Sequence, residues 1–213
     1  MTTVAYASTI RSGLSFPNQL WMRKEAIPGL RRLTDAVHAE GAAASVQIGH
    51  CGNMASYAVT RSLPLAPSGG INLYGPTFPR TMKQKDIDLV AASFGDAVRI
   101  AHESGFDAVE VHAGHGYLVS QFLSPYTNRR TDDYGGSFEN RSRFMREVMD
   151  QVMHAAGQDM GIVVKMNLRD GFRGGMEIEE SIGVARMLER CGAHALVLRS
   201  EERRVGKECR SRW

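Results

Sequence analysis

Five short β-prone runs, separated by segments of helical period, constrain this chain more than any other feature. Thr2–Ala7 is rich in β-formers, and Ala43–Ile48, Ala108–His112, Gly161–Asn167 and Ala193–Leu198 are apolar runs of strand length. Between them the period changes. Ile27, Leu30, Leu33, Ala36 and Val37 recur at helical spacing within Met22–Glu40, and Ile87, Val90, Phe94, Val98 and Ala101 do so within Asp86–Ser104. Gly41 and Gly105 stop these two helices. A third helix is predicted from Ser137, a good N-cap, to about Ala156, and a fourth over Ile178–Cys191. Regular alternation of strand and helix means right-handed βαβ units and a parallel sheet.

Doubly wound sheets and closed barrels share that alternation, and two features favour the barrel. No G-x-G-x-x-G follows the first strand, as a dinucleotide-binding sheet would require. Polar residues also close strand after strand, namely Gln47, His112 and Lys165. A barrel gathers strand C-termini around one site. The expected fold is therefore α/β, a partial TIM (β/α)8 barrel with five of its eight strands. Two long polar segments, Gly49–Pro79 and Gly114–Gly136, follow the second and third strands, where functional loops are expected.

Charge excludes some partners. The net charge is +3, and all of it lies in the last segment, Arg199–Trp213, which reads RSEERRVGKECRSRW. The remainder is balanced, so a basic nucleic-acid-binding surface is not expected. That segment also resembles the in-frame translation of a short sequencing adapter. It is expected to be a non-native tail, which leaves residues 1–198 as the partial barrel and 199–213 as an appendage. No apolar run approaches the roughly 20 residues of a membrane span. Cys51, Cys191 and Cys209 form neither a C-x-x-C pair nor a metal spacing, which suits free thiols in a reducing, cytoplasmic compartment.

The chemistry-bearing residues cluster after the third strand, in VEVHAGHGYL (109–118). His112 closes the strand, His115 follows on a glycine-rich turn, and Tyr117 stands two residues further on. Two imidazoles can donate hydrogen bonds to one carbonyl oxygen, and a phenol can supply a proton beside it. H-x-x-H also permits a metal site, as in a metal-dependent barrel hydrolase, although no third ligand stands at a suitable spacing. Two buried, hydrogen-bonded histidines with no chemistry are a further alternative.

The run from Phe106 to Phe144, FDAVEVHAGHGYLVSQFLSPYTNRRTDDYGGSFENRSRF, resembles the signature region of the Old Yellow Enzyme and NADH:flavin oxidoreductase family. QIGHCGNMAS (47–56) resembles the segment after that family's third strand, and VVKMNLRDGFRGGM (163–176) its fifth-strand segment in the subgroup related to 2,4-dienoyl-CoA reductases. The likeness covers nearly all of residues 1–198 and implies the second to sixth strands of the barrel. It implies FMN at the C-terminal mouth, with Gln47 on the flavin pyrimidine edge and Lys165 near N1 and O2. His112 and His115 match the pair that binds a substrate carbonyl, and Tyr117 matches the proton donor. NADH or NADPH would be the reductant and an activated alkene or enone the substrate. The family's first strand and its phosphate-binding seventh and eighth strands have no counterpart here, so the chain by itself is expected to be inactive. No iron–sulfur cysteine cluster is present.

Overall fold

The computed structural model describes residues 1–71 and 77–199. Five strands, β1 (Thr2–Ser8), β2 (Ala44–Gly49), β3 (Ala108–Ala113), β4 (Gly161–Asn167) and β5 (Ala195–Arg199), form one sheet in chain order, every neighbouring pair parallel. A doubly wound sheet reverses strand order at a switch point. This sheet has no reversal, as in a barrel wall.

Four helices connect the strands: α1 (Ile27–Ala39), α2 (Gln84–Glu103), α3 (Arg143–Ala156) and α4 (Ile178–Arg190). Strand residues alternate between two faces. Val46, Ile48, Val109, Val111, Ala113, Ile162, Val164 and Met166 pack outward, in one core with Phe94 and Val98 of α2 and Phe144, Val148 and Val152 of α3. Gly95 lets α2 and α3 lie close, because a Cβ there would meet the Gln151 carbonyl oxygen at 3.1 Å.

Element ends differ from the pattern-based limits for physical reasons. α1 starts at Ile27, not Met22, with Pro28 in its first turn. A proline there clashes with the carbonyl four residues earlier, so the helix cannot extend toward Met22. Ser137 does cap a helix, accepting the Asn140 N–H at 3.2 Å, but that helix is the single turn Phe138–Arg141. The Ser142 hydroxyl bonds back to the Phe138 carbonyl, and the chain restarts as α3 at Arg143. The buried Arg141 guanidinium ties the break together through the Leu123 and Gly136 carbonyls and the Glu180 carboxylate.

At the start of α2, Asp86 accepts the Lys83 N–H and two hydrogen bonds from Arg80, at 2.7 and 2.8 Å. Arg80, first among these partners, holds its carboxyl down at about 2. The Gly49–Pro79 segment contains a short helix, Tyr57–Thr60, and Leu65–Ala66, which pairs in parallel with Arg80–Thr81.

Arg199 continues β5, opposite Asn167. The rest of the adapter-like segment, residues 200–213, lies outside the described residues. No described helix is long and apolar enough to cross a membrane.

Candidate active site at the strand ends

The inner face of the sheet is polar where the outer face is apolar. Gln47 stands opposite Glu110, and His112 opposite Lys165. Residues in register on neighbouring strands share a face, and so do residues two apart on one strand. Gln47 and Glu110 therefore form one inner layer, with His112 and Lys165 in the next layer toward the strand C-termini. Asn167 lies a further step up.

The second layer is shaped around Gly49. A Cβ on Gly49 would lie 2.9 Å from the Tyr6 ring and 3.0 Å from His112 Cβ. The Tyr6 ring takes that space, its centroid 5.8 Å from His112 and 5.2 Å from Tyr117. Burial, with smaller contributions from Cys51 and Tyr117, holds the Tyr6 hydroxyl well above its usual range, so it stays protonated.

His115 and Tyr117 are delivered by the turn after β3. His115 has φ +58°, a left-handed conformation uncommon for a residue with a side chain. Its N–H is held by Asn167 Oδ1 at 3.1 Å. The Tyr117 N–H closes the turn onto the Gly114 carbonyl, and Tyr117 then caps the short helix Leu118–Leu123. The Tyr117 ring sits 4.8 Å from that of His112.

The two histidines are joined, His115 Nδ1 to His112 Nε2 at 3.1 Å. Burial first, then the nearby His115, Lys165 and Arg199, pushes His112 down to about 3, so its ring is neutral at physiological pH. The Gly114 N–H faces His112 Nδ1 at 3.3 Å, which places the ring proton on Nε2. Arg199 reaches His115 Nε2, and a guanidinium can only donate. Each neutral ring has one N–H and one acceptor nitrogen, so the pair can turn N–H donors toward an oxygen acceptor bound against it. Among the described residues no group of three His, Cys, Asp or Glu is placed to hold a metal, so the pair lacks a metal-ligand set.

Lys165 is half-buried and makes no hydrogen bond or carboxylate pair among the described residues. The inner face thus presents a lysine ammonium, an amide and an imidazole pair toward one end of the sheet. All five residues singled out in the sequence lie there, with Gln47 one layer deeper than the others. Tyr6, Glu110 and Asn167 were missed, although two of them stand two residues from a recognised one and so share its face.

Comparison with known proteins agrees with the fold. The family model described as "NADH:flavin oxidoreductase / NADH oxidase family" matches residues 1–213. The 4,4'-dithiodibutanoate disulfide reductase of Rhodococcus erythropolis is 42% identical over 192 residues, which is 90% of this chain and 48% of that protein. Among solved structures, the Old Yellow Enzyme homologue of Zymomonas mobilis superposes with a TM-score of 0.82 at 27% identity, covering 90% of this chain and 57% of that one. Morphinone reductase in complex with tetrahydroNAD gives a TM-score of 0.84 at 28% identity, covering 92% and 60%. The chain therefore belongs to the NADH:flavin oxidoreductase / NADH oxidase family, the family of Old Yellow Enzyme. It spans 48% of the length of the Rhodococcus relative and 26% of an NADH oxidase of Thermoanaerobacter brockii.

Proposed function

We propose that this chain carries the flavin- and substrate-facing strands of an FMN-dependent NAD(P)H oxidoreductase that reduces activated alkenes. The observation that carries the reading is the inner face itself. A lysine ammonium with no carboxylate partner among the described residues, a nearly buried amide and a histidine pair stand together toward the strand C-termini of a sheet whose central strands are apolar on the outer face. These groups fit FMN. Gln47 offers hydrogen bonds to a pyrimidine edge, and Lys165 offers positive charge to a ring that becomes anionic on reduction. Bound there, FMN would supply the hydride, having received it from NADH or NADPH.

The protein's own residues do the rest. His112 and His115 donate N–H bonds to the substrate carbonyl oxygen, drawing electrons from the conjugated alkene. Asn167 fixes the His115 backbone from which that donor projects. The Tyr117 hydroxyl gives its proton to the α-carbon while the β-carbon receives hydride. Tyr6 and the outer helices close the back of the site against water. In the family resemblance the flavin phosphate is held by loops after later strands, and turnover is tested in a completed protein that carries them.

The test is Tyr117→Phe in the completed protein, followed by stopped-flow measurement of each half-reaction. Flavin reduction by the nicotinamide should be unaltered. Alkene reduction should slow by about 10²–10⁴-fold, the usual worth of general acid catalysis. Equal loss in both half-reactions would remove Tyr117 from the role.

A further inference from the structure

We propose that Glu110 is a positioning residue that fixes which way the Gln47 amide faces, and so makes the site select a ligand edge carrying an N–H donor beside a carbonyl acceptor. The proposal rests on the flavin reading above, because the isoalloxazine imide is such an edge. Glu110 lies on the inner face of β3 and is only 8% exposed. It stands opposite Gln47 in the parallel register and accepts a hydrogen bond from Gln47 Nε2. Among the described residues Glu110 has no basic partner, and Gln47 is its hydrogen-bond donor.

An ionised carboxylate has acceptors and no donor. It therefore accepts the amide nitrogen of Gln47 and rejects the amide oxygen. Turning the amide over would set two acceptors against each other at a nearly buried position, where an unsatisfied polar group is costly. The locked orientation leaves Gln47 Oε1 and its second N–H for a ligand, one acceptor and one donor side by side. A free glutamine would offer either end. A carboxylate matched only by an amide is also a poor choice for packing alone, since burial of a charge without a cation is unfavourable.

Two measurements on the full chain test this. The first needs no flavin. In ¹⁵N-labelled protein, with the Gln47 side-chain signals assigned by their loss in Gln47→Ala, one Nε2 proton should be displaced downfield and exchange slowly. In Glu110→Gln the displacement should collapse. Gln47 amide signals at the position of a free glutamine in the wild-type chain would overturn the proposal. That measurement needs only the wild-type chain, so it decides even if Glu110→Gln fails to fold.

The second measurement compares FMN with 3-methyl-FMN, which lacks the imide N–H, by ligand-observed NMR. The wild-type chain should prefer FMN, and Glu110→Gln should narrow that preference about tenfold, the effect of one modest hydrogen bond, with 3-methyl-FMN binding unchanged. A change in local charge alone would shift both ligands together, and that result would overturn the selective role. If neither flavin bound the wild-type chain, the flavin reading would fall, and with it the ligand assigned to Gln47. The amide signals would still decide what Glu110 does to Gln47.

Discussion

The two faces of the same sheet follow opposite rules. On the outer face, Val109, Val111, Ile162, Val164 and Met166 are fully buried against α2 and α3. On the inner face, the same strands carry Glu110, His112, Lys165 and Asn167. β4 shows the contrast most clearly, since its residues alternate between half-buried and buried along its whole length. The outer face uses area and shape, and any apolar set of the right volume would serve there. The inner face uses donors, acceptors and charge at fixed heights, which stabilise nothing by area. Stability and function are thus separated by a period of two residues.

Substitutions on the two faces should then separate by kind of effect. Phe94→Ala removes a fully buried ring from the outer core and should cost about 3–5 kcal/mol in chemical denaturation, as large-to-small changes of Phe do. Lys165→Met on the inner face should stay near the wild-type midpoint. Comparable losses at both positions would erase the distinction.

Acid should act through two buried rings. His50, just after β2, and His112, on the inner face, are each held down at about 3, by burial first in both cases. In the unfolded chain both return to about 6.5. Below that value the unfolded chain binds protons that the folded one refuses, so stability is complete above about 6.5 and falls as pH drops toward 3. Between pH 7.5 and 5 the loss should be on the order of 2 kcal/mol for each ring, read from urea midpoints. A flat profile across that window would mean that the rings are not buried as neutral groups.

The edges of the sheet should differ from its centre by a smaller amount. β3 is buried throughout, whereas in β5 Val197 is 38% and Leu198 55% exposed. Amides of β5 should exchange with solvent well before those of β3. The smallest effect is expected at the tail. We propose that Arg199–Trp213 is foreign to the barrel; because Arg199 is also the last residue of β5, the test is a chain ending at Arg199, which should keep its stability within about 0.5 kcal/mol. A larger loss would show that residues 200–213 support the fold.

Much of the outer face was legible in the sequence, because Phe94, Val98 and Ala101 recur at helical spacing and short apolar runs mark the strands. The boundary at Pro28 was legible in principle, while the break at Ser142 depends on one hydroxyl choosing a backbone carbonyl. On the inner face the strand-end residues Gln47, His112 and Lys165 were visible because each is a polar residue closing an apolar run. Glu110 and Asn167 were not singled out, although a period of two places them beside His112 and Lys165. Tyr6 could not be found that way. Its place in the site depends on the empty side-chain position at Gly49, on a neighbouring strand.

The claim that the inner face is a flavin site is tested most directly by titrating FMN against the purified chain, with Gln47→Ala and Lys165→Met alongside. The expected result is saturable but weak binding, closer to millimolar than to the nanomolar range of a complete site. Each substitution should weaken it further without altering the unfolding midpoint. Equal FMN affinity in all three proteins would contradict the assignment, because the amide and the ammonium would then lie outside the place where the ring binds.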